Sequence, residues 1–110
     1  MDNKDNTVYL KHILECVERV ESYLAGLDAE HFFGSQLLID AVNRNIEIIG
    51  EACNNLSRDF RSSNPQIEWR KIIATRNVLI HGYAAIDLEI VWNITQTELP
   101  RLKMEIEKLL

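Results

Sequence analysis

Apolar residues recur in this chain at alternating steps of three and four, in four separate stretches. That spacing places each set on one face of a helix. Over residues 7–25 the face is Leu10, Ile13, Leu14, Val17, Val20 and Leu24. Over residues 36–57 it is Ile39, Val42, Ile46, Ile49, Cys53 and Leu56, a 3-4-3-4-3 run of the kind that lines a tightly packed helix pair. Trp69, Ile72, Ile73, Ile80 and Tyr83 make a third stripe, and Trp92, Thr95, Leu99, Leu102, Ile106 and Leu109 a fourth, over residues 88–109. Four such stripes can leave water only by facing one another. The expected fold is all-α, a four-helix up-down bundle, with residues 1–110 forming a single helical domain.

The residues between the stripes supply stops and starts. Gly26 ends the first helix, and residues 28–33 (Asp-Ala-Glu-His-Phe-Phe) form a short capped turn before Gly34. Ser35 caps the second helix, and Asp87 caps the fourth. Residues 58–64 read as a polar loop, after which Asn64-Pro65 opens the third helix with a cap and an N1 proline. Pro100 falls inside the fourth helix and, lacking an N–H, should kink it or split it near Glu98. Gly50 sits inside the second, where it costs about 1 kcal/mol relative to alanine. Close approach of another helix accounts for it.

Composition narrows the alternatives. With 4 glycines and 2 prolines in 110 residues, the chain lacks the punctuation of a many-stranded sandwich or barrel. No apolar run approaches the ~20 residues of a membrane span, and the polar, acidic start does not read as a signal peptide, so a cytoplasmic location is expected. Cys16 and Cys53 lie far apart, in no CxxC and beside no histidine cluster. Both fall on apolar faces, where cysteine acts as a small hydrophobe.

One position breaks the pattern. Arg76 is seven residues after Trp69 and four before Ile80, and so occupies a place in the third apolar stripe. A guanidinium there snorkels to the surface, pairs with a carboxylate, or opens into a cleft or subunit interface. Glu47 and Glu51, one turn apart on the second helix, are the candidate partners. The surrounding residues read Arg-Asn-Val-Leu-Ile-His-Gly-Tyr over 76–83. Asn77 and His81 are four apart and share a face. Arg76 and His81, five apart, stand about 140° around an ideal helix and could flank one small anion. Gly82 permits the helix to unwind, freeing His81 and Tyr83 to be aimed separately.

An arginine, a histidine and an amide suit phosphodiester chemistry without a metal. Arginine offers a fixed fork of donors to phosphate, and histidine takes or gives a proton near neutrality. In RNA the 2′-OH is an internal nucleophile, so the protein need not supply one. For His81 the plain alternative is a satisfied helix-end histidine, and for Tyr83 a packing residue on the stripe. Charge adds a clue. The net charge is −5, yet residues 65–86 carry Arg70, Lys71 and Arg76 against Glu68, with Arg58 and Arg61 just upstream. The one positive segment of an acidic protein surrounds the suspected phosphate site, which fits local anion binding and argues against a surface that grips nucleic acid everywhere.

These residues resemble the HepT-like branch of the HEPN superfamily, small helical toxins found beside minimal nucleotidyltransferase antitoxins. The matching stretches are 41–44 (Ala-Val-Asn-Arg) with 48–52 (Ile-Ile-Gly-Glu-Ala), 65–69 (Pro-Gln-Ile-Glu-Trp) and 76–83, then Ile86-Asp87, Trp92 and Leu99-Pro100. The resemblance covers nearly the whole chain. It implies a metal-independent endoribonuclease, needing no cofactor, that works as a homodimer with motifs of two subunits meeting in one cleft. Arg76 would bind the scissile phosphate, His81 would act as general base or acid, and Asn77 would orient the phosphate or its partners. The products would be a 2′,3′-cyclic phosphate and a 5′-hydroxyl.

The resemblance further implies the toxin half of a type VII-like toxin–antitoxin pair, in which the cognate nucleotidyltransferase attaches AMP to Tyr83. An added phosphodiester would fill a cationic cleft and repel RNA. The transferase would be a separate chain, because Gly34-Ser35 opens a helix and no paired aspartates at strand spacing follow it. A different class of reading remains open: a non-catalytic subunit that uses the same motif to hold a nucleotide or substrate for an associated nucleotidyltransferase.

Overall fold

The computed structural model describes residues 3–81 and 87–110, without the side chains of residues 3–5, 78, 80 and 81. In order these form α1 (Asn3–Leu24), α2 (Ala29–Phe33), α3 (Gln36–Asn55), α4 (Arg58–Ser63), α5 (Trp69–His81), α6 (Leu88–Asn93) and α7 (Leu99–Leu109). A π-helical turn, Ile94–Glu98, joins the last two. The described residues contain no strand, and the fold is all-α.

The predicted stripes supply most of the core, with Leu14, Ile72, Ile73, Trp92 and Leu109 half-buried against it. Of the third stripe, the side chain of Ile80 and all of Tyr83 lie outside the described residues. Leu10, Ile13, Val17, Val20 and Leu24 of α1 are buried, as are all six stripe positions from Ile39 to Leu56. Helix α3 is central, packed on α1 along one side and on α5 along another, while α7 closes against α1. The short α2 packs against α3 and α6. Asp28 caps it by accepting from His31 N at 3.0 Å. Its Phe32 is wholly buried, with its ring centroid 5.7 Å from that of Trp92.

The punctuation acts largely as expected. Gly26 takes a left-handed φ of 76° at the end of α1, a conformation that disfavours any Cβ. Ser35 Oγ accepts from Leu38 N at 3.2 Å, and Asp87 Oδ1 accepts from Glu89 N and Ile90 N. Before Pro100 the ladder widens, with Leu99 N donating to Ile94 O, five residues back. This π turn absorbs the donor that Pro100 lacks. Thr95 Oγ1 and Thr97 Oγ1 donate to Trp92 O and Asn93 O at 2.6 and 2.8 Å.

Two expectations are corrected. The first concerns residues 58–64, where Arg58–Ser63 form helix α4 in place of a loop. Ser57 Oγ caps it by accepting from Phe60 N at 3.1 Å. Ser57 is itself clamped by Asn6, a buried polar residue of α1: Ser57 N donates to Asn6 Oδ1 at 3.0 Å, and Asn6 Nδ2 donates to Ser57 Oγ at 3.3 Å. The second concerns Pro65, which does not start the third helix. Asn64 instead finishes α4, its N–H bonding to Arg61 O and its Nδ2 to Phe60 O, and α5 begins only at Trp69.

Cys16 and Cys53 are free thiols in the core. Burial pushes both thiols up, and takes Cys53 to about 12 against a weaker downward pull from the nearby Arg61 guanidinium. The unfolded Cys53 releases its proton near 9.0 while the folded one still holds it, so the unfolded state binds fewer protons in that range. Stability is therefore expected to fall as pH rises from about 9 toward about 12, by up to about 1.4 kcal/mol per pH unit from this thiol. Urea unfolding across that range checks it. Cys53→Ala should show a shallower decline, and identical slopes would contradict it.

Candidate active site

Helix α5 carries the candidate residues, and its start is firmly anchored. Trp69 is buried, its Nε1 donates to Asn64 O at 3.0 Å, and its ring packs on Phe60 with centroids 6.3 Å apart. From Trp69 the helix runs without interruption to His81. Arg76 and position 81 thus share one regular helix, with a rise of about 7.5 Å between them.

Arg76 holds its place in the apolar stripe because it lies on Gly50. A Cβ built at Gly50 would overlap Arg76 Cβ outright, would stand 2.8 Å from Arg76 Cγ, and would come within 3.3 Å of Ile72 O. The two helices touch nearly backbone to backbone, and the aliphatic stem of Arg76 fills the space that a side chain at 50 would take. The stem is covered while the head reaches the rim, leaving the side chain 29% exposed.

The guanidinium is then fixed on two sides. Nη2 lies 2.8 Å from Glu51 Oε2, and Nη1 donates to Asn77 Oδ1 at 3.0 Å. Of the two carboxylates expected as partners, Glu51 is the one used, while Glu47 pairs with Arg44 at 3.5 Å. Arg76 Nε is buried with no hydrogen-bond partner among the described residues. A guanidinium carries five N–H donors, and one contact each from Nη1 and Nη2 leaves further donors on these two nitrogens at the rim. A planar head oriented in this way by a carboxylate and an amide suits an oxyanion acceptor.

Arg76 and Asn77 are therefore brought together. His81 is placed in sequence at the end of α5, but its side chain, Gly82 and Tyr83 lie outside the described residues. Two groups were not foreseen. Asn43 Oδ1 and Asn45 Oδ1, on α3 before Gly50, are buried acceptors without a partner among the described residues. Nothing in their spacing marks them, since Asn45 also bonds its own helix through Nδ2 to Ala41 O. Among the described residues no group of three or more His, Cys, Asp and Glu side chains is placed to hold a metal ion.

The local positive charge is also redistributed. Lys71 Nζ contacts Glu98 Oε1 at 2.5 Å and Glu68 Oε2 at 3.8 Å, and the Glu98 hydrogen bond raises the lysine pKa. With Arg76 held by Glu51, the cation of this segment that has no carboxylate within 4.0 Å among the described residues is Arg70.

Gly50→Ala should force α3 and α5 apart and destabilise the protein by about 1–3 kcal/mol, although alanine is the better helix former. A lower urea midpoint is the expected reading. Arg76→Gly, which removes the opposing Cβ, should cost less when combined with Gly50→Ala than it does alone, giving a measurable coupling in a double-mutant cycle. A Gly50→Ala variant as stable as wild type would contradict the close approach.

Comparison with known proteins assigns the chain to a family. Residues 13–109 match the profile of a family described as "Ribonuclease HepT-like". Among curated proteins, the chain is 42% identical over 107 residues to a "Gamma-glutamylcyclotransferase and putative RNase" of Methanocaldococcus jannaschii, covering 97% of this chain and 48% of that protein. It is 35% identical over 107 residues to a "Putative RNase" of the same organism, covering 97% of this chain and 98% of the relative. It is 37% identical over 101 residues to a "Probable ribonuclease HepT" of Thermococcus cleftensis, covering 92% of each. The chain thus spans about half the length of the first of these and nearly all of the other two. No solved structure matches it. With its profile match running over most of its length, this chain belongs to the HepT-like family of the HEPN superfamily.

Proposed function

We propose that this chain is a metal-independent endoribonuclease, the toxin half of a type VII-like toxin–antitoxin pair, acting as a homodimer in the cytoplasm. The observation that carries the reading is the seating of Arg76 on Gly50, with its head brought to the rim and fixed by Glu51 and Asn77. The ribonuclease names of the relatives support the same chemistry.

In this reading an RNA phosphodiester lies against the Arg76 guanidinium, which stabilises charge developing on the nonbridging oxygens. The 2′-oxygen attacks the adjacent phosphorus and loses its proton to a general base. The P–O5′ bond breaks, and the departing oxygen takes a proton from a general acid. The products are a 2′,3′-cyclic phosphate and a 5′-hydroxyl. His81 serves one of these two proton transfers, and Asn77 holds Arg76 in register. Attachment of AMP to Tyr83 by a nucleotidyltransferase then places a phosphodiester beside the cationic site and excludes RNA.

Incubating wild type and His81→Ala with RNA in EDTA tests the nuclease. Wild type should leave cyclic-phosphate ends, and the variant should be slower by about 10²–10⁴-fold. Indistinguishable traces would refute the assignment of His81 and favour the non-catalytic, nucleotide-holding subunit. For Tyr83, intact mass after co-expression with a partner nucleotidyltransferase should show one or more added AMP units, absent from Tyr83→Phe. An adduct that persists in Tyr83→Phe would place the modification elsewhere.

A further inference from the structure

The short helix α4 and the first turn of α5 enclose a groove of about 740 Å³ that the proposed chemistry does not use. Three arginines line it: Arg58 and Arg61, one turn apart on α4, and Arg70 on α5. None has a carboxylate within 4.0 Å among the described residues, and Arg61 Nε is a buried donor without a partner there. The one carboxylate in the lining, Glu68, lies 3.8 Å from Lys71 Nζ. On a chain of net charge −5, three arginines lining one concave surface are a local reversal of sign. Such a groove concentrates anions where the rest of the surface repels them.

The register of α5 ties this groove to the candidate active site. Positions 70, 74, 77 and 81 follow one another at steps of four, three and four, and so lie along one face of the helix. Arg70, Ala74 and Asn77 are exposed, and Asn77 holds the Arg76 guanidinium. Arg70 stands about 10 Å of helical rise before Asn77, and about 16 Å before position 81. A polyanion laid along this face would meet Arg70 at one end and, toward the other, Asn77 with the Glu51-paired Arg76 guanidinium that it holds, and its intervening part would pass the small Ala74. A chain of phosphodiesters fits that layout, because its charges repeat along its length. A lone phosphate engages one end only.

We infer that the Arg58–Arg61–Arg70 groove binds the backbone phosphates of single-stranded RNA, and so extends the substrate path a few nucleotides beyond the cleavage site along the exposed face of α5. The inference rests on the ribonuclease reading for its substrate, but binding in the groove can be measured apart from cleavage. Arginine is the appropriate residue for it, since its planar fork pairs with phosphate oxygens bidentately.

The test uses the full chain, a labelled single-stranded RNA oligonucleotide and fluorescence anisotropy over a salt series, in a His81→Ala background that prevents turnover. Arg58→Gln with Arg70→Gln removes two exposed cations that make no ion pair among the described residues, so the fold should survive. This double variant should bind at least about tenfold more weakly at low salt. Its log–log salt dependence should be shallower by about 1.4, as expected for two lost contacts to a single strand. Arg58→Lys with Arg70→Lys keeps both charges and should retain most of the slope. With His81 restored, the Gln variant should show a raised KM for RNA cleavage.

Equal affinity and slope in wild type and the Gln variant would overturn the groove while leaving the nuclease standing. Failure of the wild-type groove to bind RNA at low salt would overturn it as well. Arginine-dependent binding by a protein that cleaves no RNA in EDTA would support the groove and defeat the ribonuclease reading. Binding of inorganic phosphate with the same dependence on Arg58 and Arg70, and no preference for RNA, would overturn the polymer path.

Discussion

A missing side chain organises this molecule. At Gly50 there is no Cβ, and Arg76 of α5 occupies the space where one would stand, close enough that Ile72 O would also be in contact. Everything proposed for the site depends on that proximity. It lets an arginine sit in an apolar stripe without burying its charge, because the stem lies across the glycine and the head emerges beside Glu51. It also limits the motion of the guanidinium, which contacts Glu51 from one helix and Asn77 from its own. A fixed donor fork is ordered before substrate arrives, so less freedom is lost on binding.

The remainder of the fold holds these two helices in place. Helix α3 is gripped by α1 through continuous apolar seams, and the start of α5 is pinned by Trp69 through its hydrogen bond to Asn64 and its contact with Phe60. Asn6 reaches across from α1 to clamp Ser57, which caps α4, the helix that presents Arg58 and Arg61. Charge follows the same plan. Lys71 and Arg76 are matched by carboxylates, whereas Arg58, Arg61 and Arg70 are gathered around one groove with no ion-pair partner among the described residues. An acidic scaffold with local cationic sites favours binding along a defined path over adhesion at large.

Much of this was legible in the amino-acid order, for identifiable reasons. The stripes of α1 and α3 repeat long enough for their period to be unmistakable, and every position assigned to the α3 seam is buried. Caps at Ser35 and Asp87, the interruption before Pro100 and the close approach at Gly50 each follow from a single residue's stereochemistry. Arg76 stood out as a charge in an apolar register, and that anomaly pointed to the site. Other features were hidden. Helix α4 has six residues, too few to display a period, and its signal was only a serine three positions before Phe60. Asn64 resembled the cap of the next helix but closes the preceding one, a choice made by the anchoring of Trp69. Choosing Glu51 over Glu47 required knowing how α5 lies across α3, and no local pattern encodes that. The three-arginine groove needed the same knowledge, since Arg70 lies well apart from Arg58 and Arg61 in sequence.

The role of Arg76 as the phosphate-binding group is tested most directly by single-turnover cleavage with Arg76→Lys, under saturating protein and in EDTA. Lysine preserves the charge and the stem over Gly50 but not the planar fork that Glu51 and Asn77 orient. If Arg76 stabilises the transferring phosphate through that geometry, the cleavage step should slow by about 10²–10³-fold while the fold is retained. A lysine variant that cleaves at nearly the wild-type rate would contradict it, and would reduce Arg76 to a structural charge paired with Glu51.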